Sequence, residues 1–274
     1  MVKFTPIRNI FEIEGFCSAF KFSWKENFIF SGERHNFWEI VYVKSGEVEI
    51  TEDENIYTLR AGEVIIHAPM EFHRVKSSGG TSPTGYILSF STAGELPAPL
   101  TEGVFMLDAV QIEEYERICS LAIGFVENSL DARLGQEASL SLSSFIMRLE
   151  RELGTGSLSK TRSAEQYRLI VSFMGEHVTE NLTVEDIANS LAVSVSYIKL
   201  LFKTYAGVSP KSYFNDLRLK KAFSLLESGS SVSEISYLMN FSSPSYFSSF
   251  CKKRVGEPPT RQKTKITRMS EYKK

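Results

Sequence analysis

The chain has 274 residues, 42% hydrophobic and 23% charged, with a net charge of −2, the profile of a globular protein with room for one large or two ordinary domains. Its three cysteines, Cys17, Cys119 and Cys251, show no metal or redox spacing, which excludes a disulfide-stapled framework and points to a reducing cytoplasm. No run approaches the roughly 18 apolar residues of a membrane span, and the opening MVKFTPIRNIFEIEGF, broken by charges, has no signal-peptide core.

From Phe37 to Ser91 short β-like runs alternate with turn signals: FWEIVYVK, EVEIT, IYTLR, EVIIHAP and TGYILSF. Close-spaced short strands of this kind predict an all-β sandwich or barrel. Trp38 and Tyr42 are read as sharing one strand face, with Ile40 between them on the other. From about Val110 the apolar period becomes helical. Tyr115, Ile118, Ala122 and Phe125 make one stripe, and Leu142, Ile146, Leu149 and Leu153 a second. Stripes spaced three and four apart suit the seam of a short coiled coil or packing against the barrel. GTGSLSKTRS, at 154–163, reads as a flexible linker. Everything after Glu165 reads as helix, punctuated at Asn181, Gly207–Pro210, Gly229 and Gly256.

The charge divides where the linker does. Residues 1–164 hold 15 Lys and Arg against 23 Asp and Glu, a net of −8, whereas residues 165–274 hold 16 against 10, a net of +6. A basic tail carries Arg261, Lys263, Lys265, Arg268, Lys273 and Lys274. Such asymmetry fits a polyanionic partner, although a solubilising tail would read the same way.

The C-terminal part also repeats itself. SVSYIKLLFKTYAGVSP at 194–210 matches SPSYFSSFCKKRVGEPP at 243–259, with Ser196, Tyr197, Lys203, Gly207 and Pro210 recurring 49 residues later as Ser245, Tyr246, Lys252, Gly256 and Pro259. Each copy opens with a short helix. Thr183 with Asp186 begins the first and Ser231 with Glu234 the second, both in capping-box positions. A turn at Ala192–Val193 and a cap at Ser194 lead to a second helix with Ile198, Leu201 and Phe202 on its buried face. Two short helices, a tight turn and a small residue at the crossing (Ala188) describe a helix-turn-helix. Between the copies PKSYFNDLRLKKAFSLL predicts one helix of about 25 Å. A rigid spacer of that length suits recognition helices near one DNA turn apart, about 34 Å. Small polar residues at the helix starts can enter a major groove while the lysines reach phosphate.

At these spacings residues 167–263 resemble the DNA-binding domain of the AraC/XylS family of bacterial transcription regulators. The resemblance is carried by Tyr197, Phe202, Lys203, Gly207, Ser209-Pro210, Tyr213, Arg218-Leu219, Ala222, Leu226, Ile235, Phe241, Ser245-Tyr246-Phe247, Gly256 and Pro259. It implies tandem helix-turn-helix modules joined by a long helix, RNA polymerase as a partner and a homodimer. Leu200 and Ser249 stand where the family often has a recognition-helix Arg, Asn240 where it has Gly, Cys251 where it has Phe, and Gln262-Lys263 where it closes with Tyr-Arg. The DNA-contact candidates are Ser194, Ser196, Tyr197, Lys199 and Lys203 in the first module. In the second they are Ser243, Ser245, Ser248, Ser249, Lys252 and Lys253.

In the N-terminal half, His35-x3-Glu39-x6-Gly46 followed by Pro69-x3-His73 resembles the two short motifs of a cupin barrel. His35, Glu39 and His73 are ligand-binding candidates, with Trp38 and Tyr42 as aromatic neighbours suited to a sugar or similar polar molecule. The alternative makes His35, Glu39 and His73 metal ligands, with Glu33 as a fourth. No cofactor is otherwise expected. His67 and His177 read as structural.

The expected fold is α+β multidomain: a cupin-like sensor barrel (1–100), a helical dimerisation segment and linker (101–164), and an all-α DNA-binding domain (165–274). That last domain carries helix-turn-helix modules at 183–205 and 231–254. The expected function is a cytoplasmic, sequence-specific transcription regulator, an activator answering to a small-molecule effector. Its partners would be promoter half-sites in adjacent major grooves of double-stranded DNA, with no membrane. The rival reading is a metal-dependent cupin oxygenase or isomerase with a helical accessory domain.

Overall fold

A computed structural model describes residues 5, 10–94, 96, 100, 103–149, 161–255 and 258–259. The sequence-predicted linker up to residue 160, Leu153, Gly256 and the basic tail lie outside them. The chain divides into two compact units, 1–164 and 165–274.

Among the described residues of the first unit eight strands follow one another: β1 (Glu12–Ser23), β2 (Trp38–Ser45), β3 (Glu47–Glu52), β4 (Asn55–Arg60), β5 (Glu63–His67), β6 (His73–Ser77), β7 (Thr84–Ala93) and β8 (Val104–Met106). Two helices, α1 (Ala109–Glu127) and α2 (Ala132–Leu149), come after them. The strands form a five-stranded sheet, ordered β1-β7-β2-β5-β8, and a three-stranded sheet, ordered β4-β3-β6, with every pairing antiparallel. The sheets face each other across Val41, Val43, Ile65 and Ile87 on one side and Val48, Ile50, Tyr57, Leu59 and Val75 on the other. This is the cupin-like barrel expected. β1, β6 and β8 were not foreseen. β1 escapes notice because bulges between Ile13 and Gly15 and between Phe16 and Ser18 break the two-residue alternation that marks a strand.

The outer face of the larger sheet is covered by the two helices. Ile40, Tyr42, Ile66, Leu88 and Phe90 pack against Tyr115, Ile118, Ala122, Leu142, Phe145 and Ile146 in one buried cluster. Tyr115, Ile118 and Ala122 of the first sequence-predicted stripe and Leu142, Ile146 and Leu149 of the second therefore bury against the barrel. Asp108 and Gln111 close a capping box at the start of α1, which ends the preceding strand sharply. The same cluster corrects one expectation: Trp38, Ile40 and Tyr42 all lie on it. Residues two apart on a strand share a face, and Val41 and Val43 are the ones turned into the barrel. Burial on both faces makes β2 read as a continuous apolar run, so alternation gives no clue there.

The second unit is helical: α3 (Arg162–Glu176), α4 (Val184–Ser190), α5 (Val195–Tyr205), α6 (Pro210–Glu227), α7 (Val232–Leu238) and α8 (Pro244–Val255). Each start is specified locally. Thr183 accepts from the amide of Asp186 at 3.1 Å, and the Asp186 carboxylate accepts from the amide of Thr183 at 2.8 Å. Ser231 and Glu234 repeat the arrangement, and Ser209 caps α6 with Pro210 in its first turn. The turns inside α4–α5 and α7–α8 pass through Ala192 at φ 52° and Asn240 at φ 51°, the left-handed region. Asn tolerates it better than most residues, so Asn240 supplies what the family's Gly would. Its amide also donates to the carbonyl of Thr179 at 3.2 Å.

α6 joins the two helix pairs. Tyr213, near its start, meets Phe202 of α5 edge-on at 5.3 Å. Leu219, Ala222 and Leu226, further along, pack with Ile235, Met239, Phe247 and Cys251. Burial pushes the thiols of Cys119 and Cys251 up to about 12, so both are inert apolar filling at neutral pH.

Candidate functional site

The two helix pairs of the second unit each turn a polar face outward. On α5, Ile198, Leu201, Phe202 and Tyr205 are buried, while Ser196, Lys199, Leu200, Lys203 and Thr204 are exposed. On α8, Phe247 and Cys251 are buried, while Ser245, Tyr246, Ser249, Lys252 and Lys253 are exposed. Ser196, Leu200, Lys203 and Thr204 match Ser245, Ser249, Lys252 and Lys253 because the repeat keeps its register. Tyr197 is half-buried. Ser194 and Ser243 act first as helix caps, accepting from the amides of Tyr197 and Tyr246 at 3.1 Å each. Half-buried Ser248 donates to the carbonyl of Pro244 at 2.9 Å, so its hydroxyl hydrogen is already engaged. Arg254, next to the two exposed lysines, is turned inward instead, bonding to Asp216 and to the carbonyl of Ser212.

Between the modules opens a cleft of about 1180 Å³. Lys199 and Lys203 of α5 and Lys211 of α6 line it from one side, Tyr237 and Tyr246 from the other. Arg218 also lines it. Its guanidinium donates to the Asn181 side chain at 3.2 Å and to the carbonyl of Met239, and lies 4.4 Å from the Phe241 ring centre. One buried cation thereby ties α6 to the entrance of the first module and the turn of the second. No spacing rule in the sequence points to that role.

In the first unit, the barrel interior changes character along its length. Beyond the apolar cluster come Glu39, Glu52, His67, His73 and Ser89, all buried, brought together by strand register: Glu39 pairs with His67, and Glu52 with His73. Glu39 accepts from the Ser89 hydroxyl at 2.9 Å, and its other oxygen lies 3.3 Å from Nε2 of His73. Burial works against the charged form of both partners, but their hydrogen bond and mutual attraction prevail. The Glu39 carboxyl is held below, and the His73 imidazole above, its ordinary value. This is an ion pair.

His67 and Glu52 behave oppositely. Their side chains meet at 2.8 Å, yet burial pushes Glu52 well up and His67 well down, reinforced by neighbouring carboxylates and imidazoles respectively. Both shifts favour the uncharged forms, in contrast to the Glu39–His73 pair. His67 stacks on His73 at 4.4 Å, so the residue set aside as structural belongs to the cluster.

His35 sits at the open end, its Nδ1 2.9 Å from the carbonyl of Phe37 and its Nε2 3.8 Å from Glu39. Burial first, then the neighbouring His73 charge, lowers its basicity. The ligand atoms of Glu33, His35 and His73 all lie within 4.8 Å of one another. Nε2 of His35 is buried without an aligned hydrogen-bond partner, whereas Nε2 of His73 faces Glu39 at 3.3 Å. With each Nδ1 facing a backbone carbonyl, that donor set fits a divalent transition metal. Trp38 and Tyr42 are not part of this site: they face the helices, Trp38 donating to the Thr92 hydroxyl and Tyr42 meeting Tyr115 at 5.7 Å.

Tandem helix-turn-helix modules with basic outward faces, following a barrel with a polar interior, define a ligand-responsive DNA-binding regulator. Residues 21–149 match the AraC-like ligand binding domain family and residues 187–265 a helix-turn-helix domain family. The chain belongs to the AraC family of transcription regulators. It is 34% identical over 102 residues to the raffinose operon transcriptional regulatory protein RafR of Pediococcus pentosaceus, a match covering 37% of each chain. It is 23% identical over 239 residues to the HTH-type transcriptional activator RhaS of Escherichia coli O81, covering 84% of this chain and 86% of RhaS. Among solved structures it resembles ToxT of Vibrio cholerae O395, at 16% identity and a TM-score of 0.39, over 94% of this chain and 98% of that one. Among the described residues no helix is long and apolar enough to cross a membrane.

Proposed function

We propose that the protein is a cytoplasmic transcription activator that grips two adjacent major-groove segments of a promoter through α5 and α8 and answers to a small polar molecule held by His35, Glu39 and His73. The observation that carries this reading is the pair of outward faces, Ser196-Leu200-Lys203 and Ser245-Ser249-Lys252, in register on two helix-turn-helix modules. A relative named for a raffinose operon makes a sugar the first effector to try. A homodimer through α1 and α2 is favoured by Leu140 and Met147, exposed apolar residues two turns apart on α2. Effector binding would then shift the population of arrangements in the dimer and alter half-site occupancy or contact with RNA polymerase.

The test is fluorescence anisotropy on the protein's own upstream duplex and a scrambled one, across salt concentrations. Lys203→Ala and Lys252→Ala should each weaken binding to both duplexes and reduce the salt slope by about one. Loss of affinity for one sequence alone would contradict the phosphate role.

The bare Nε2 atom of His35 favours a second reading, in which the effector pocket holds a divalent metal through Glu33, His35 and His73 once His73 gives up the proton it shares with Glu39. Protein dialysed against zinc or manganese and washed should then carry about one metal per chain by elemental analysis, and His35→Ala substantially less. Equal content in both would remove the metal from the site.

A further inference from the structure

We propose that Leu200 is a specificity-determining residue of the first module and that it reads thymine methyl groups; this rests on the DNA-binding reading above. A solitary exposed leucine is ordinary on a protein surface, but this one is 58% exposed at the centre of the outward face of α5. Its neighbours on that face, Ser196 and Thr204, lie one turn to either side, and Lys199 and Lys203 flank it. The two lysines line the cleft between the modules, where a phosphate backbone running from one groove to the next would pass. Ser196 and Leu200 are not part of that lining, which leaves them for the groove floor.

Chemistry then narrows the choice. A leucine side chain can neither donate nor accept, so it cannot recognise guanine or adenine through their hydrogen-bonding edges. The apolar group that a base pair presents in the major groove is the C5 methyl of thymine. Burying the Leu200 side chain against such a methyl removes apolar surface of both partners from water, a gain that unmethylated edges cannot match. Ser196, one turn earlier, supplies a hydroxyl for the adjoining base.

The second module differs at the same position. Ser249 stands where Leu200 does, with Ser245 one turn before it, so its face offers hydroxyls and no branched methyl group. The two modules thus read different chemistry, one methyl-bearing and one polar, and the chain lies on its site in a single orientation.

The test removes one methyl at a time. In the bound duplex each thymine is replaced in turn by deoxyuridine, and affinity is measured by anisotropy for the wild-type chain, Leu200→Ala and Lys203→Ala. At one or two thymines of one half-site, wild-type affinity should fall about three- to tenfold. Leu200→Ala should bind both duplexes equally there, while Lys203→Ala should bind more weakly but keep the methyl dependence. If no thymine matters, or if Leu200→Ala keeps the same dependence, the inference is overturned while DNA binding stands. Failure of the wild-type chain to bind any duplex at low salt would overturn the DNA-binding reading itself.

Discussion

Replacing Gly85 with alanine should unfold or severely loosen the N-terminal unit. Gly85 lies near the start of β7, between β1 and β2 in the five-stranded sheet, paired with Phe22 of β1 and Val43 of β2. A Cβ there would stand 1.9 Å from the carbonyl oxygen of Tyr42 and 2.6 Å from the Phe22 ring. Overpacking against side chains commonly costs 1–3 kcal/mol because the neighbours can turn away. Here the nearest neighbour is backbone, so the β2–β7 ladder has to separate, and a loss of about 4 kcal/mol or more is expected. In a unit of this size that lowers the melting midpoint by roughly 10 °C or more. Both tryptophans of the chain, Trp24 and Trp38, lie in this unit, so tryptophan fluorescence follows it selectively. A midpoint within about 2 °C of wild type would refute the argument.

Arg218→Ala should damage DNA binding without removing a DNA contact. The side chain is 5% exposed, and burial lowers its basicity, yet it holds Asn181, the carbonyl of Met239 and the face of Phe241 together. Truncation leaves a buried carbonyl unsatisfied and removes both the cation–aromatic contact and the packing of the side-chain stem. The expected cost is about 2–4 kcal/mol in the second unit. Since Arg218 sets how the modules sit on α6, affinity for an intact two-module site should drop about tenfold or more while the salt slope stays unchanged. Arg218→Lys should behave nearly as badly, because an ammonium group lacks the guanidinium fork that reaches two acceptors at once. A salt slope reduced by about one in either variant would make Arg218 a phosphate contact and end its role as a positioning residue.

The two sites differ in how much of them could be read from the chain alone. The modules were legible because their specification is local. Thr183 with Asp186, Ser194, Ser231 with Glu234, and Ser243 cap helices whose apolar residues recur three and four apart, and every one of these relations spans a few residues. The barrel site was legible only in part. The spacing of His35, Glu39 and His73 marked it, but His67, Glu52 and Ser89 come from separate strands with no shared motif.

By itself the sequence determined the repeat, the helix starts, most of the strands and the charged faces of the recognition helices, because each depends on residues close along the chain. Tertiary structure alone decided what faces what. It turned Trp38 and Tyr42 toward α1 and α2, away from the pocket, since β2 is apolar on both sides and its pattern does not name the interior. It favoured charge on Glu39 and His73 and the uncharged forms of Glu52 and His67, because strand register sets the distances and burial sets the balance between desolvation and attraction. And it placed Arg218 beneath both modules, a contact between residues 21 and 37 positions apart that no local pattern encodes.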